Sequence, residues 1–283
     1  MSTLQDFTGN NPTWCPGCGN WGIGMSLKTA FVEMGLSPSS VMLSFGIGCS
    51  GNMNDFINGY AMHGLHGRAI ATAIGMKLAN HKLPVCAIVG DGDCYGEGGN
   101  HFLHACRGNH DIKVIIHDNR VYGLTTGQVA PTAEKGQVSK STPSGIIETP
   151  VDPLALAITQ GATFVAQTFA GDTRHMVETI KKAFQHTGFS VVNVLQPCVT
   201  FEKKGTYQYY MKHIYRLDES YIPNDKMAAL GKAFEIAQEK FPLGVIYQTE
   251  RSAYHQEAVK NAESALINQS RFQDFDSLVE EFI

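Results

Sequence analysis

Gly90-Asp91-Gly92-Asp93 and, further on, Asp118-Asn119 put carboxylate and amide oxygens where a short strand meets a turn. Asp91 and Asn119 offer hard oxygen ligands to Mg²⁺, which commonly completes its octahedron with waters and phosphate oxygens. Gly90 and Gly92 let the backbone approach a diphosphate closely. The elements that must position these residues are legible around them. Residues 85–89 form an apolar run too short for a helix and rich in β-branched side chains, which reads as a buried parallel strand. Residues 100–108 have the length of a helix, and residues 114–116 read as a second apolar strand ending at Asp118-Asn119. A right-handed crossover sets the two strands side by side. Asp91 and Asn119 are then expected at one sheet edge, where open α/β sheets bind ligands. The bland alternative is an ordinary βαβ turn with a helix-capping aspartate.

GDG, a helix, an asparagine closing the next strand and then YGLTTGQ together resemble the thiamine diphosphate motif. That resemblance implies a third protein ligand to Mg²⁺, the main-chain carbonyl of Val121.

Seven cysteines form a second set of chemically able residues. Cys86 lies within a strand and Cys106 within a helix, where each reads as a small core residue. Cys94 sits beside the GDGD turn and is expected to line the diphosphate site. Cys15 and Cys18 form a CxxC in a Pro-Gly turn. Cys49 follows the apolar residues 41–45, and Cys198 follows the apolar residues 191–195. Two strand ends and a tight loop can converge on one point. A thioredoxin-like pair needs a helix starting at the first cysteine. A structural zinc site usually shows two CxxC knuckles, and an iron–sulfur cubane accepts four cysteines at irregular spacing. From the cysteines alone zinc and iron–sulfur stay level. A thiamine site in the same chain favours iron–sulfur, because oxidising a 2-oxoacid releases electrons that need an acceptor.

CPGCG, GIGCSG, HGRA, GDGD, DNRVYGLTTGQ and QPC occur in this order over residues 14–254. In that order they resemble the β subunit of 2-oxoacid:ferredoxin oxidoreductases, and most of all the two-subunit 2-oxoglutarate or general 2-oxoacid type. The resemblance implies thiamine diphosphate, Mg²⁺ on Asp91, Asn119 and Val121, and a [4Fe–4S] cluster on Cys15, Cys18, Cys49 and Cys198. It implies cofactor contacts from Gly48, Cys49 and Ser50, and from Gly90, Asp91, Gly92 and Asp93. Further contacts are implied for Asn119, Tyr122, Gly123, Leu124 and Thr125, with His66 facing the thiamine as the catalytic side chain. It implies oxidative decarboxylation of a 2-oxoacid, best matched by 2-oxoglutarate, with coenzyme A to acyl-CoA and CO₂, electrons leaving to ferredoxin. An α subunit is implied as partner, supplying the activating glutamate and most substrate binding. Some relatives carry lysine where Thr126 stands, so an ion pair from that position to a distal substrate carboxylate is lacking and pyruvate or broad specificity stays open.

Composition sets the remaining bounds. A chain of 283 residues, 43% hydrophobic and 17% charged, buries a large core. Twenty-two basic against 26 acidic residues give −4, which argues against a dedicated nucleic-acid binder. No apolar run reaches membrane-spanning length, and the first residues lack the pattern of a signal peptide. The expectation is a cytoplasmic protein without a membrane partner.

Along the chain, helices are expected at 22–34, 69–79, 153–159 and 173–187, strands at 41–45, 163–167 and 191–195, and a long proline-bearing loop at 129–151. Alternating strands and helices give an α/β fold with a doubly wound, mostly parallel sheet and a C-terminal extension. Residues 1–200 are expected to form the thiamine- and cluster-binding domain, and residues 201–283 the extension that covers the cluster and contacts partners. Residues 201–215 carry five aromatics, with Lys203, Lys204, Lys212 and Arg216 among or beside them, and read as an extended arm exposing its lysines. Those basic residues could steer an acidic ferredoxin or form a solvated face. Residues 243–247 read as a short strand. Phe272, Phe275, Val279 and Phe282 predict an amphipathic helix. Two other classes keep part of the pattern: a non-redox thiamine decarboxylase or synthase, which has no need of the four cysteines, and a zinc-stabilised α/β binding module, which has no need of the diphosphate site.

Overall fold

The computed structural model describes residues 2–258, 264–269 and 279–280. Helix α1 (Asn20–Glu33) leads into strand β1 (Met42–Phe45), then β2 (Tyr60–His63), α2 (Ala69–Ala79) and β3 (Val85–Gly90). There follow α3 (Gly99–Gly108), β4 (Lys113–Asp118), and the two-residue strands β5 (Val121–Tyr122) and β6 (Gln128–Val129). Helix α4 (Pro153–Thr159), β7 (Phe164–Phe169), α5 (Thr173–Gln185) and β8 (Ser190–Leu195) complete the expected series. Beyond it come α6 (Tyr207–His213), β9 (Ile214–Arg216), α7 (Lys226–Ala233), β10 (Phe241–Gln248) and α8 (Tyr254–Ala258).

The main sheet has eight strands in the order β2-β1-β3-β4-β8-β7-β10-β9, and β5 pairs with β6 apart from it. Every pairing from β2 to β7 is parallel, while β10 runs antiparallel to β7. This is the doubly wound, mostly parallel α/β fold the alternation predicts. Two apolar faces account for it. Val85, Ala87 and Val89 of β3 enter one core layer with residues of α2, α3, α4 and α7. Cys86 and Ile88, pointing the other way, enter the layer built by α1 and α5, as the two-residue period of a strand requires. In α1, Ile23, Leu27, Ala30 and Phe31 form the buried stripe. Asp152 caps α4 by accepting from the Leu154 and Ala155 amides, with Pro153 at the first helical position.

Several expectations are revised. β2 is not among the expected strands; all four of its residues are exposed at the sheet edge, so it shows no apolar alternation. Residues 207–213 are helical instead of an extended arm: Thr206 caps α6 by accepting from the Tyr209 amide, and Tyr210 is buried between Phe169 and Phe241. The strand expected at 243–247 spans Phe241–Gln248 and joins the main sheet. Helix α7 has no counterpart in the expectations. The helix predicted from Phe272, Phe275, Val279 and Phe282 lies outside the described residues except at 279–280. No helix among the described residues is long and apolar enough to cross a membrane.

Candidate functional site

The chain turns back between β1 and β3: β2 goes to one side of β1, and β3 starts the run to the other. Such a switch point opens a crevice at the strands' carboxyl ends. β1 is followed by the loop bearing Gly48, Cys49 and Ser50, β3 by Asp91, β4 by Asn119 and β8 by Cys198, so all four segments leave the same edge.

Asp91 is 1% exposed. Its Oδ2 accepts from the Arg120 amide at 2.7 Å and from the Thr132 hydroxyl at 2.6 Å. Burial, and the charge of Asp118 beside it, push the Asp91 carboxyl well above the usual range. Asp93 Oδ1 accepts from the amides of Ile47 at 3.0 Å and Gly67 at 2.9 Å, which ties two loops to the end of β3. His66 Nδ1 lies 2.8 Å from that oxygen and 3.3 Å from Glu97 Oε2. A π-helical turn, Gly92–Glu97, carries Asp93 and Glu97, a local widening common at functional sites. A Cβ on Gly92 would collide with the Tyr122 ring, so glycine is what lets Tyr122 lie over this turn. Asn119 Oδ1 accepts from the Val121 amide at 3.1 Å, and Val121 opens the β5–β6 hairpin.

These residues border one cleft. It is lined by Gly48, Cys49, Ser50, His66, Gly90, Asp91, Gly92, Asp93, Asn119, Tyr122, Gly123, Leu124 and Thr125, together with Ile47 and Val121. The cofactor contacts that the resemblance implies are therefore brought together. Buried Asp93 Oδ2 and Asp118 Oδ1 have no hydrogen-bond partner. In the cleft itself, Asp93 with its free oxygen stands with buried Asp91, an amide oxygen and close backbone, a set that fits a hard divalent cation and a diphosphate. Cys94, expected at this site, lies instead at 1% exposure in the core beneath it.

A second cavity of about 250 Å³ is lined by Cys15, Cys18, Cys49 and Cys198, with Trp14, Thr126 and Phe201 among its walls. Gly17, at φ +80°, makes the Pro-Gly turn that brings Cys18 back toward Cys15. The Trp14 indole donates to the Cys49 carbonyl at 2.7 Å, the Trp21 indole to the Cys15 carbonyl at 3.1 Å, and Gln196 Nε2 to Cys18 Sγ at 3.5 Å. Burial, with the Cys18, Cys198 and Cys15 sulfurs nearby, pushes the Cys49 thiol up to about 11, and burial raises Cys18 as well. Four thiols around one cavity, with Cys18 and Cys49 held protonated by burial, suit a cationic centre that would draw out thiolates. Helix α1 starts only after Cys18, so Cys15 lacks the helix N-terminus of a thioredoxin-like pair. Among the described residues no three or more His, Cys, Asp or Glu side chains converge tightly enough for one metal ion.

The two cavities share Cys49, Asn119, Gly123 and Leu124 as a common wall. Residue types did not single out Thr132, Ile47 or Gln196. Thr132 lies in a loop without periodicity and leaves no signal in sequence; Ile47 and Gln196 fall inside the GIGCSG and QPC motifs, but Ile47 acts through its amide and Gln196 through a contact to Cys18, which the motifs do not reveal.

The sheet, its switch point and the glycine–aspartate turn define a thiamine diphosphate-binding enzyme domain. In agreement, residues 45–194 match the thiamine pyrophosphate enzyme family's C-terminal TPP binding domain, and residues 198–263 match the C-terminal family of the pyruvate ferredoxin oxidoreductase beta subunit. The chain belongs to the β subunits of the 2-oxoacid:ferredoxin oxidoreductases. It is 45% identical over 269 residues to the 2-oxoacid:ferredoxin oxidoreductase subunit beta of Saccharolobus solfataricus, covering 90% of this chain and 88% of that one. It is 42% identical over 190 residues to the 2-oxoglutarate synthase subunit KorB of Archaeoglobus fulgidus, covering 67% and 71%. The fold superposes with a TM-score of 0.92 and 36% identity on a 2-oxoglutarate:ferredoxin oxidoreductase from Magnetococcus marinus with 2-oxoglutarate, coenzyme A and succinyl-CoA bound, covering 99% of this chain and 96% of that one.

Proposed function

We propose that this β subunit, with an α partner, oxidatively decarboxylates 2-oxoglutarate with coenzyme A to succinyl-CoA and CO₂, passing electrons through a [4Fe–4S] cluster to ferredoxin. The observation that carries the reading is the shared wall: Cys49, Asn119, Gly123 and Leu124 line both the cleft fit for a metal diphosphate and the four-cysteine cavity. Thiamine diphosphate, when bound, supplies the nucleophile and electron sink for loss of CO₂ from a 2-oxoacid. Asp91, the Asn119 amide and the Val121 carbonyl would hold Mg²⁺, and Gly90 and Gly92 leave room for the phosphates. His66, steadied by Asp93 and Glu97, faces the cleft and can exchange a proton with what binds there. Cys15, Cys18, Cys49 and Cys198 would hold the cluster, which supplies one-electron steps. The support for 2-oxoglutarate is what the Magnetococcus marinus structure holds and what the KorB relatives are named for.

The cleft encloses only about 70 Å³, well short of the ~300 Å³ at which ligand pockets begin. The chain, in this reading, seats the diphosphate end of the cofactor and the α subunit covers the remainder. In this reading residues 1–200 carry both cofactors and residues 201–283 cover the cluster and meet partners in the cytoplasm. The basic group there is partly spent internally: Lys204 pairs with Glu134 at 2.6 Å and Glu239 at 2.5 Å, and Arg216 with Asp172 at 2.6 Å. Lys203 and Lys212 are thus the residues left to steer a ferredoxin. A second reading, broad specificity including pyruvate, is favoured by Thr126, which lines the sulfur cavity and brings no charge to a distal carboxylate. Turnover of the αβ enzyme on a panel of 2-oxoacids decides: preference for 2-oxoglutarate supports the first reading, equal turnover of pyruvate the second, and no ferredoxin reduction with any of them rejects both.

A further inference from the structure

Arg120 stands between the proposed metal ligands Asn119 and Val121, yet its side chain takes no part in lining the cleft. Its backbone is left-handed, φ +64°, a conformation that residues other than glycine adopt only when surrounding contacts hold them there. The contacts are unusual for a charged side chain. Arg120 is 4% exposed, and its guanidinium donates to Glu134 Oε1 at 2.6 Å. The same group lies 5.8 Å from the Tyr210 ring centroid and 5.7 Å from that of Phe241, within cation–π reach. Glu134 in turn holds Lys204, and Lys204 holds Glu239. Tyr210, Lys204, Glu239 and Phe241 all belong to the segment after Cys198, which supplies no proposed cofactor ligand besides that cysteine. At the other end, the left-handed turn aims the Arg120 amide at Asp91 Oδ2, 2.7 Å away, and the Ala130 amide donates to the Arg120 carbonyl at 3.2 Å.

We propose that Arg120 is a positioning residue: its buried guanidinium, gripped by Glu134, Tyr210 and Phe241, holds the 119–121 turn in the shape that presents Asp91, Asn119 and Val121 to the metal. The C-terminal segment therefore sets the affinity of a site it does not touch. This rests on the reading of the cleft as the Mg²⁺–diphosphate site. Partners that orient metal ligands typically change affinity about 10- to 100-fold when removed.

The test is a calorimetric titration of thiamine diphosphate into the αβ enzyme, stripped of cofactor and metal, at a series of Mg²⁺ concentrations. Arg120→Gly is the informative variant, because glycine tolerates the left-handed backbone while the anchor is removed; Arg120→Asn, which also tolerates that conformation, controls for the added backbone freedom. The Mg²⁺ concentration for half-saturation is expected to rise about 10- to 100-fold in Arg120→Gly, less in Arg120→Lys, and several-fold in Glu134→Gln. An unchanged Mg²⁺ dependence in Arg120→Gly, beside an Asp91→Ala control that has lost binding, overturns the positioning role alone. Wild-type titrations for both variants overturn the site reading beneath it. Weaker binding with unaltered Mg²⁺ dependence marks a merely structural role and also overturns the proposal. Should Arg120→Gly not fold, Glu134→Gln decides by the same criterion.

Discussion

Asp91 concentrates the conflict that the cleft is built around. A carboxylate taken out of water beside a second buried carboxylate, Asp118, is unstable as an anion unless a cation joins it. Asp91→Ala and Asn119→Ala are each expected to weaken Mg²⁺-dependent thiamine diphosphate binding by at least about 100-fold, with the far-ultraviolet circular dichroism unchanged, since both positions end strands and neither belongs to the apolar core. Retention of wild-type affinity by either variant would contradict the ligand assignment. At this scale the sequence was highly informative. Glycines and carboxylates directly after apolar strands marked Asp91 and Asn119 as candidates, and both line one cleft, whereas Thr132, which donates to Asp91 across 41 positions, had no neighbour to mark it. The cysteines divide in the same way. Alanine in place of Cys15, Cys18, Cys49 or Cys198 is expected to lower iron content and ferredoxin reduction together. Cys86→Ala or Cys106→Ala is expected to leave iron intact and cost about 1 kcal/mol in a denaturant melt.

Among the elements, the sheet's far edge carries a charge network unconnected with the cofactor end. Asp111 links Lys77 and Lys113 at 2.7 Å each. Burial raises the Asp111 carboxyl, but the two ammonium groups outweigh it and hold it below the usual range. Lys113 also donates to the carbonyls of His186 and Gly188, pinning the end of α5 to the start of β4. Asp111→Asn leaves two buried ammonium groups short of a counter-charge and is expected to cost about 3–5 kcal/mol in urea unfolding. His186 stands 8% exposed with Nε2 2.8 Å from the Thr163 hydroxyl. Burial, with Lys113 nearby, pushes its pKa down to about 4. Between roughly pH 6.5 and 4 the unfolded chain binds a proton there that the folded chain refuses, so stability falls as pH falls through that window. His186→Gln is expected to remove about 2–3 kcal/mol of that acid loss, read from urea midpoints at pH 7 and pH 4.5; an identical slope in both proteins would count against it. The strands and helices up to β8 were legible because their apolar periods are undisturbed. β2, α6 and α7 were not: an exposed edge strand shows no alternation, and the closely spaced tyrosines of α6 look like strand residues until Tyr210 meets Phe169 and Phe241.

Taken as a whole molecule, the chain is half of a site. The parallel strands bring the glycine–aspartate cleft and the sulfur cavity to one edge, where Cys49, Asn119, Gly123 and Leu124 line both. The isolated chain is accordingly expected to show no ferredoxin reduction with any 2-oxoacid until the α subunit is added. The order of the motifs already set the glycine–aspartate turn and the four cysteines in one chain; that the cleft and the sulfur cavity share Cys49 and Asn119 became visible only once β1, β3, β4 and β8 were placed side by side. The most direct measurement is the visible absorbance of the oxygen-free αβ enzyme before and after addition of 2-oxoglutarate and coenzyme A. A broad brown band that bleaches on addition in the wild-type enzyme, and persists unbleached in Asp91→Ala with its iron content intact, is the predicted result. A colourless wild-type enzyme without iron, or bleaching that continues undiminished in Asp91→Ala, would contradict the account.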